Sequence, residues 1–243
     1  MKKIFNICLQ LLIFFTISYS QSIMFNHSKF DELLRVNVDE NGRINYAAFE
    51  NSKDFKDYLR SLEAADISEL NTNDKLAFYI NAYNATVIKN VLNHLPITSP
   101  MDIDGFFNKI KHKVAGKEMT LDELEHQRVL TIEPVLSHFG LVCAAISCPI
   151  LINKAYEGAT VYHQLEDNAS LFLNDIQKNR LDKKNNILYL SELFKWFRKS
   201  FEDRFGSLVE TAKHFLNEKD KIFLDENEVE IKFVSYNWQL NKQ

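Results

Sequence analysis

His138-Phe139-Gly140-Leu141-Val142-Cys143-Ala144-Ala145-Ile146-Ser147-Cys148-Pro149-Ile150-Leu151 is the stretch whose reading decides the fold. From Phe139 to Ile146 it carries no charge, and it then breaks at Ser147-Cys148-Pro149. An uncharged apolar run closed by a proline reads as a buried strand entering a turn. Pro149 also biases Cys148 away from the helical region. The expected fold is α+β, with helices packed on a small, mostly antiparallel sheet whose central buried strand covers 139–145. Reactive groups at the end of such a strand make it the place to look for a site.

The 243 residues are 46% hydrophobic and 26% charged, enough apolar material for a substantial core. Glycine occurs only 6 times, and no GxGxxG or GxxxxGK[ST] is present. No phosphate-cradling loop is therefore expected, and no cofactor. Met1 to Ser20 reads as a signal peptide: Lys2 and Lys3, then an apolar run from Ile4 to Ile17, then small residues at Ser18 and Ser20. Cleavage is expected before Gln21, leaving residues 21–243 as a single domain exported to the periplasm or beyond. No membrane span is expected after cleavage. Cleavage removes two lysines and no acids, so the net charge of −4 becomes −6. With no basic stripe, a nucleic-acid partner is not expected.

Along the chain, Asn37 to Ala48 imitates a calcium loop. Its twelfth position is Ala48 where a bidentate glutamate is needed, so a turn at Asn41-Gly42 is the reading. Phe55 to Ala65 reads as a helix. A longer one runs from Asn73 to His94, stopped by Pro96, with Leu76, Ile80, Tyr83, Val87 and Val91 as its apolar stripe. Asn81 and Asn84 lie three apart on an adjoining face. Asparagine is a mediocre helix former, so the pair either satisfies buried backbone or lines a pocket. Ala115-Gly116-Lys117 reads as a hairpin turn, and Thr120-Leu121-Asp122-Glu123 as a capping box that starts the helix carrying Glu125 and His126. Helices are expected over 160–176 and 208–216 and after the cap Ser191, with a strand at 188–190. Lys221 to Leu224 and Val229 to Val234 read as a closing hairpin. The aromatics of these last parts read as core.

Several stretches together resemble the family named domain of unknown function 547: Asn73 to Ala85, Leu121 to His126, His138 to Pro149, and Tyr236-Asn237-Trp238-Gln239-Leu240-Asn241. The resemblance spans nearly all of the chain after the signal segment. It implies no established activity and assigns no catalytic residue.

Two functions compete for these residues. The first is binding: a polar pocket of Asn81, Asn84, Glu125, His126, His138 and Ser147 holding a small ligand, glycan or peptide. The second is a thiol-dependent hydrolase or acyltransferase, with Cys143 as nucleophile and His126 as its base. On a strand, His138 points to the face opposite Cys143, which makes it a poor base for that thiol. Against the thiol enzyme stands a buried Cys143, or a Cys143–Cys148 disulfide. No pair among the histidines, Glu125 and the thiols has metal-ligand spacing, so no metal is expected.

Overall fold

The computed structural model describes residues 24–243; the expected signal segment and its cleavage point before Gln21 lie outside the described residues. The elements in order are α1 (Ser28–Asn37), α2 (Tyr46–Glu50), α3 (Lys53–Ala64), α4 (Thr72–Leu92), β1 (His112–Val114), β2 (Lys117–Met119), α5 (Leu121–Leu124), α6 (Val161–Leu173), β3 (Arg180–Asp182), β4 (Ile187–Ser191), α7 (Glu192–Trp196), α8 (Arg198–Phe205), α9 (Leu208–Phe215), α10 (Glu218–Glu226) and β5 (Glu230–Val234). The chain is an α+β mixture. β1 and β2 form an antiparallel hairpin, turned at Ala115 and Gly116 with positive φ. β3, β4 and β5 form a second sheet in that order.

α4 is the axis of the core. Asn71 caps it, accepting from the Asp74 N–H at 2.9 Å. Every residue from Ile80 to Ile88 is buried, so the helix is enclosed on all sides and is not a half-exposed amphipathic one. Neighbours on α2, α3, α5 and α6 supply the enclosure. Apolar contacts connect Phe30 on α1 through α4 to Leu240 near the C-terminus. No helix among the described residues is long and apolar enough to cross a membrane.

The central strand expected over 139–145 does not form. Leu136–Phe139 is a short 3-10 turn, and the chain from Gly140 to Leu151 is irregular yet mostly buried. A buried segment must still satisfy its backbone, and here side-chain amides do what a strand ladder would do. Asn84 donates to the Gly140 carbonyl at 2.9 Å and accepts from the Val142 N–H at 3.0 Å. Asn168 on α6 donates to the Phe139 carbonyl and to that of Ile150. Asn81 makes the same two-way grip on Tyr156, at 2.8 and 2.9 Å. From the other side the C-terminal segment takes over: Ile146 N–H donates to Gln239 and Asn241 N–H donates to Ala144. Ala144 has φ +61°, which breaks any extended run. Gly140 packs so closely on α6 that a Cβ there would lie 2.6 Å from Leu165 Cδ2.

The closing hairpin is also replaced. Lys221 to Leu224 lies in α10, whose N-cap Asn217 accepts from Asp220 N–H. β5 pairs with β4 in parallel. A parallel partner needs a long crossover, and α7 to α10 provide it. Four apolar-rich residues do not distinguish strand from helix, which is why the sequence misled at that point.

Candidate functional site

The capping box places the site. Thr120 Oγ1 accepts from Glu123 N–H at 3.1 Å, and the Glu123 carboxylate accepts from Thr120 N–H at 2.8 Å. This starts α5, but after one turn the helix widens. Glu125–Val129 is a π turn, closed by Leu130 N–H to the Glu125 carbonyl at 2.9 Å. Such widened turns are rare and recur at functional positions. Here the widened turn carries Glu125 and His126 to a cavity of about 270 Å³, bounded by α4, α7, the buried irregular segment and the C-terminal segment.

Three kinds of group meet there. Glu125 is half-buried and lines the cavity beside Tyr83 of α4. Burial, more than the like charge of Asp122, pushes that carboxyl up to about 6, against the opposing pull of His126 and Tyr83. His138 is only 3% exposed and lies flat on Phe197, ring centres 3.7 Å apart. Its Nε2 is buried and has no partner among the described residues. Burial holds its pKa down to about 3. Five buried side-chain polar atoms lack a partner among the described residues, and His138 Nε2 is the one lining this cavity.

The third component is sulfur under aromatic rings. Cys143 and Cys148 are joined in a disulfide. The Tyr236 hydroxyl lies 3.2 Å from Cys143 Sγ and 3.1 Å from Cys148 Sγ. Tyr236 in turn packs on Trp196 and Trp238, with centroids 4.8 and 4.7 Å away. Trp196 remains 47% exposed, whereas Phe194 two residues earlier is wholly buried.

Of the residues singled out in the sequence, Glu125, His126, His138 and Cys143 line one cavity. His138 and Cys143 share it because the segment between them is not a strand, so the alternation that would have parted them does not apply. Asn81 and Asn84 are elsewhere, their amides spent on backbone. Ser147 accepts from Asn237 N–H at 2.8 Å and tethers the C-terminal segment. Sequence reading assigned Tyr83 and Trp196 to the core and gave Asp122 and the Tyr236–Trp238 pair no site role. The cluster Tyr236 to Asn241 was visible only as part of a resemblance. A wider recess of about 450 Å³ beside Arg43 and Lys178 has no unpartnered buried side-chain atom in its lining among the described residues. Nor is any group of three His, Cys, Asp or Glu among the described residues placed to hold a metal ion.

Residues 67–173 match the model of a family described as protein of unknown function, DUF547. The match takes in α4, the π turn and the irregular segment, and ends before Tyr236. No curated protein and no solved structure matches the chain.

Proposed function

The chain belongs, through residues 67–173, to the family of proteins of unknown function DUF547, and we propose from its own cavity that it is an exported protein binding a small organic ligand there. One observation carries the reading: Glu125, whose carboxyl is pushed up by burial, lines one cavity with the half-exposed Trp196 and with His138, whose buried Nε2 has no partner among the described residues. Buried polar groups are normally paired, and a native exception asks for an explanation. A bound ligand is the explanation that also accounts for Trp196 being left half-exposed. The Cys143–Cys148 disulfide supports export, since disulfides persist in oxidising compartments.

The chain has two tryptophans, Trp196 and Trp238, and both line the cavity. Intrinsic fluorescence therefore reports on this place alone. A mixed set of amines, organic acids, sugars and short peptides should contain members that change the fluorescence saturably. Calorimetry on Trp196→Ala should show those members weakened at least tenfold. A full set without a saturable change, or binding indifferent to Trp196→Ala and Glu125→Gln together, overturns the reading.

A second reading rests on Cys143 and His126 sharing the cavity. In it the reduced protein is a thiol-dependent hydrolase or acyltransferase, His126 taking the Cys143 proton before attack on an acyl carbon. The disulfide form has no thiol for that step. The reading predicts ester hydrolysis that appears with reductant and disappears in Cys143→Ser. Equal rates with and without reductant exclude it.

A further inference from the structure

The cavity is lined by two acids, Glu125 and Asp122, and by no lysine or arginine. Its side-chain donors are the ring N–H groups of Trp196, Trp238 and His126, while the Tyr236 hydroxyl lies against the disulfide sulfurs. An organic acid would meet two carboxylates with no lysine or arginine to offset them. Beside these carboxylates stand the rings of Trp196, Trp238 and Tyr236, whose π faces attract a cation, the more so when it is desolvated.

We infer that the ligand is an organic cation, an alkyl- or arylammonium, seated against Trp196, Trp238 and Tyr236 with its charge toward the Glu125 and Asp122 carboxylates. The inference rests on the cavity being a ligand site and names the class of ligand. It also gives Glu125 a reason. Its carboxyl is pushed up by burial without a full counter-charge, and a bound ammonium supplies that charge.

The test uses the full mature chain with its disulfide intact. The probes are benzyltrimethylammonium, phenethylamine, choline, the neutral choline isostere 3,3-dimethylbutan-1-ol, and glucose, each titrated against tryptophan fluorescence. At least one ammonium probe should saturate. Choline should bind at least tenfold tighter than its isostere. Glu125→Gln should weaken the cations about tenfold and leave the isostere unchanged, with Asp122→Asn as a second variant should the first fold poorly. Equal binding of choline and its isostere, or binding of glucose or any neutral or acidic compound without the ammonium probes, overturns the cation class while the cavity stands as a ligand site. Silence from these probes and from the whole mixed set overturns the ligand site itself, and the inference with it.

Discussion

The irregular segment from His138 to Leu151 has two sides, and they treat polar groups in opposite ways. Toward α4 and α6, Asn84 and Asn168 pair with the segment's backbone, and Asn84 uses both ends of its amide. Toward the cavity, His138 Nε2 has no partner among the described residues and the Glu125 carboxyl is desolvated. The Asn84 pairing is complete within the chain, although Asn168 Oδ1 on the same side has no partner among the described residues; the cavity side has no such two-way pairing. Paired buried amides are scaffold, and the incomplete side is where something from outside is to be expected.

Removing an amide from the complete side should have the largest effect. Asn84→Ala leaves the Gly140 carbonyl and the Val142 N–H unpaired in the core, each at a cost of about 1–3 kcal/mol. Urea denaturation should show a loss of about 2–5 kcal/mol. A loss under about 1 kcal/mol would mean that the segment satisfies its backbone in some other way, and the contrast between the two sides would fail.

On the incomplete side, His138 should reveal itself through pH. Folded, its pKa lies at about 3; unfolded, it returns to the ordinary value of 6.5. Between those values the unfolded chain binds the extra proton, so stability falls as pH drops below about 6.5. His27 and His112, both held down to about 4 by burial, act in the same direction. Going from pH 7 to pH 4.5, His138→Gln should lose about 2.5 kcal/mol less than the parent chain, at 1.36 kcal/mol per pH unit over the two units below 6.5. Equal losses in the two proteins would show that His138 is solvated.

The disulfide lies between the two sides, with a sequence separation of 5. Closing so short a loop is worth about 2 kcal/mol through the unfolded chain. Denaturation with and without reductant should differ by roughly that amount. Reduction should also free Tyr236 from its contacts with the sulfurs and shift tryptophan fluorescence. A stability change with no spectral change would separate the disulfide from the cavity.

Much of the scaffold was legible because local signals carry it. The Thr120 box, the Ser191 cap and the Ala115-Gly116 turn all depend on residues three or four apart, and all formed. The segment 139–145 was misread because an apolar run records burial and not backbone conformation. What decided its shape was a pair of helices offering asparagines, 56 and 58 residues away from their partners at Asn84. Asn84, with Asn81, reads from the sequence either as satisfying buried backbone or as lining a pocket, and a sequence does not show which way a mid-helix amide turns. The site was half legible. Glu125, His126, His138 and Cys143 stood out as chemistry, while Tyr83 and Trp196 had the look of core residues, Trp238 entered only through the resemblance, and the π turn at Glu125 has no sequence signature.

The most direct test of the contrast is the stability of Glu125→Gln at pH 8. Burial lifts the carboxyl from 4.5 to about 6, so at pH 8 the folded chain carries an ionised group it would rather protonate. That strain amounts to about 2 kcal/mol at 1.36 kcal/mol per unit, and Gln removes it at nearly the same size and shape. Since sites are built at some expense of folding, the variant should be about 1–2 kcal/mol more stable than the parent at pH 8, with the gain vanishing below about pH 4.5. A variant less stable than the parent by more than about 1 kcal/mol at pH 8 would place Glu125 with Asn84 among the scaffold and contradict the account.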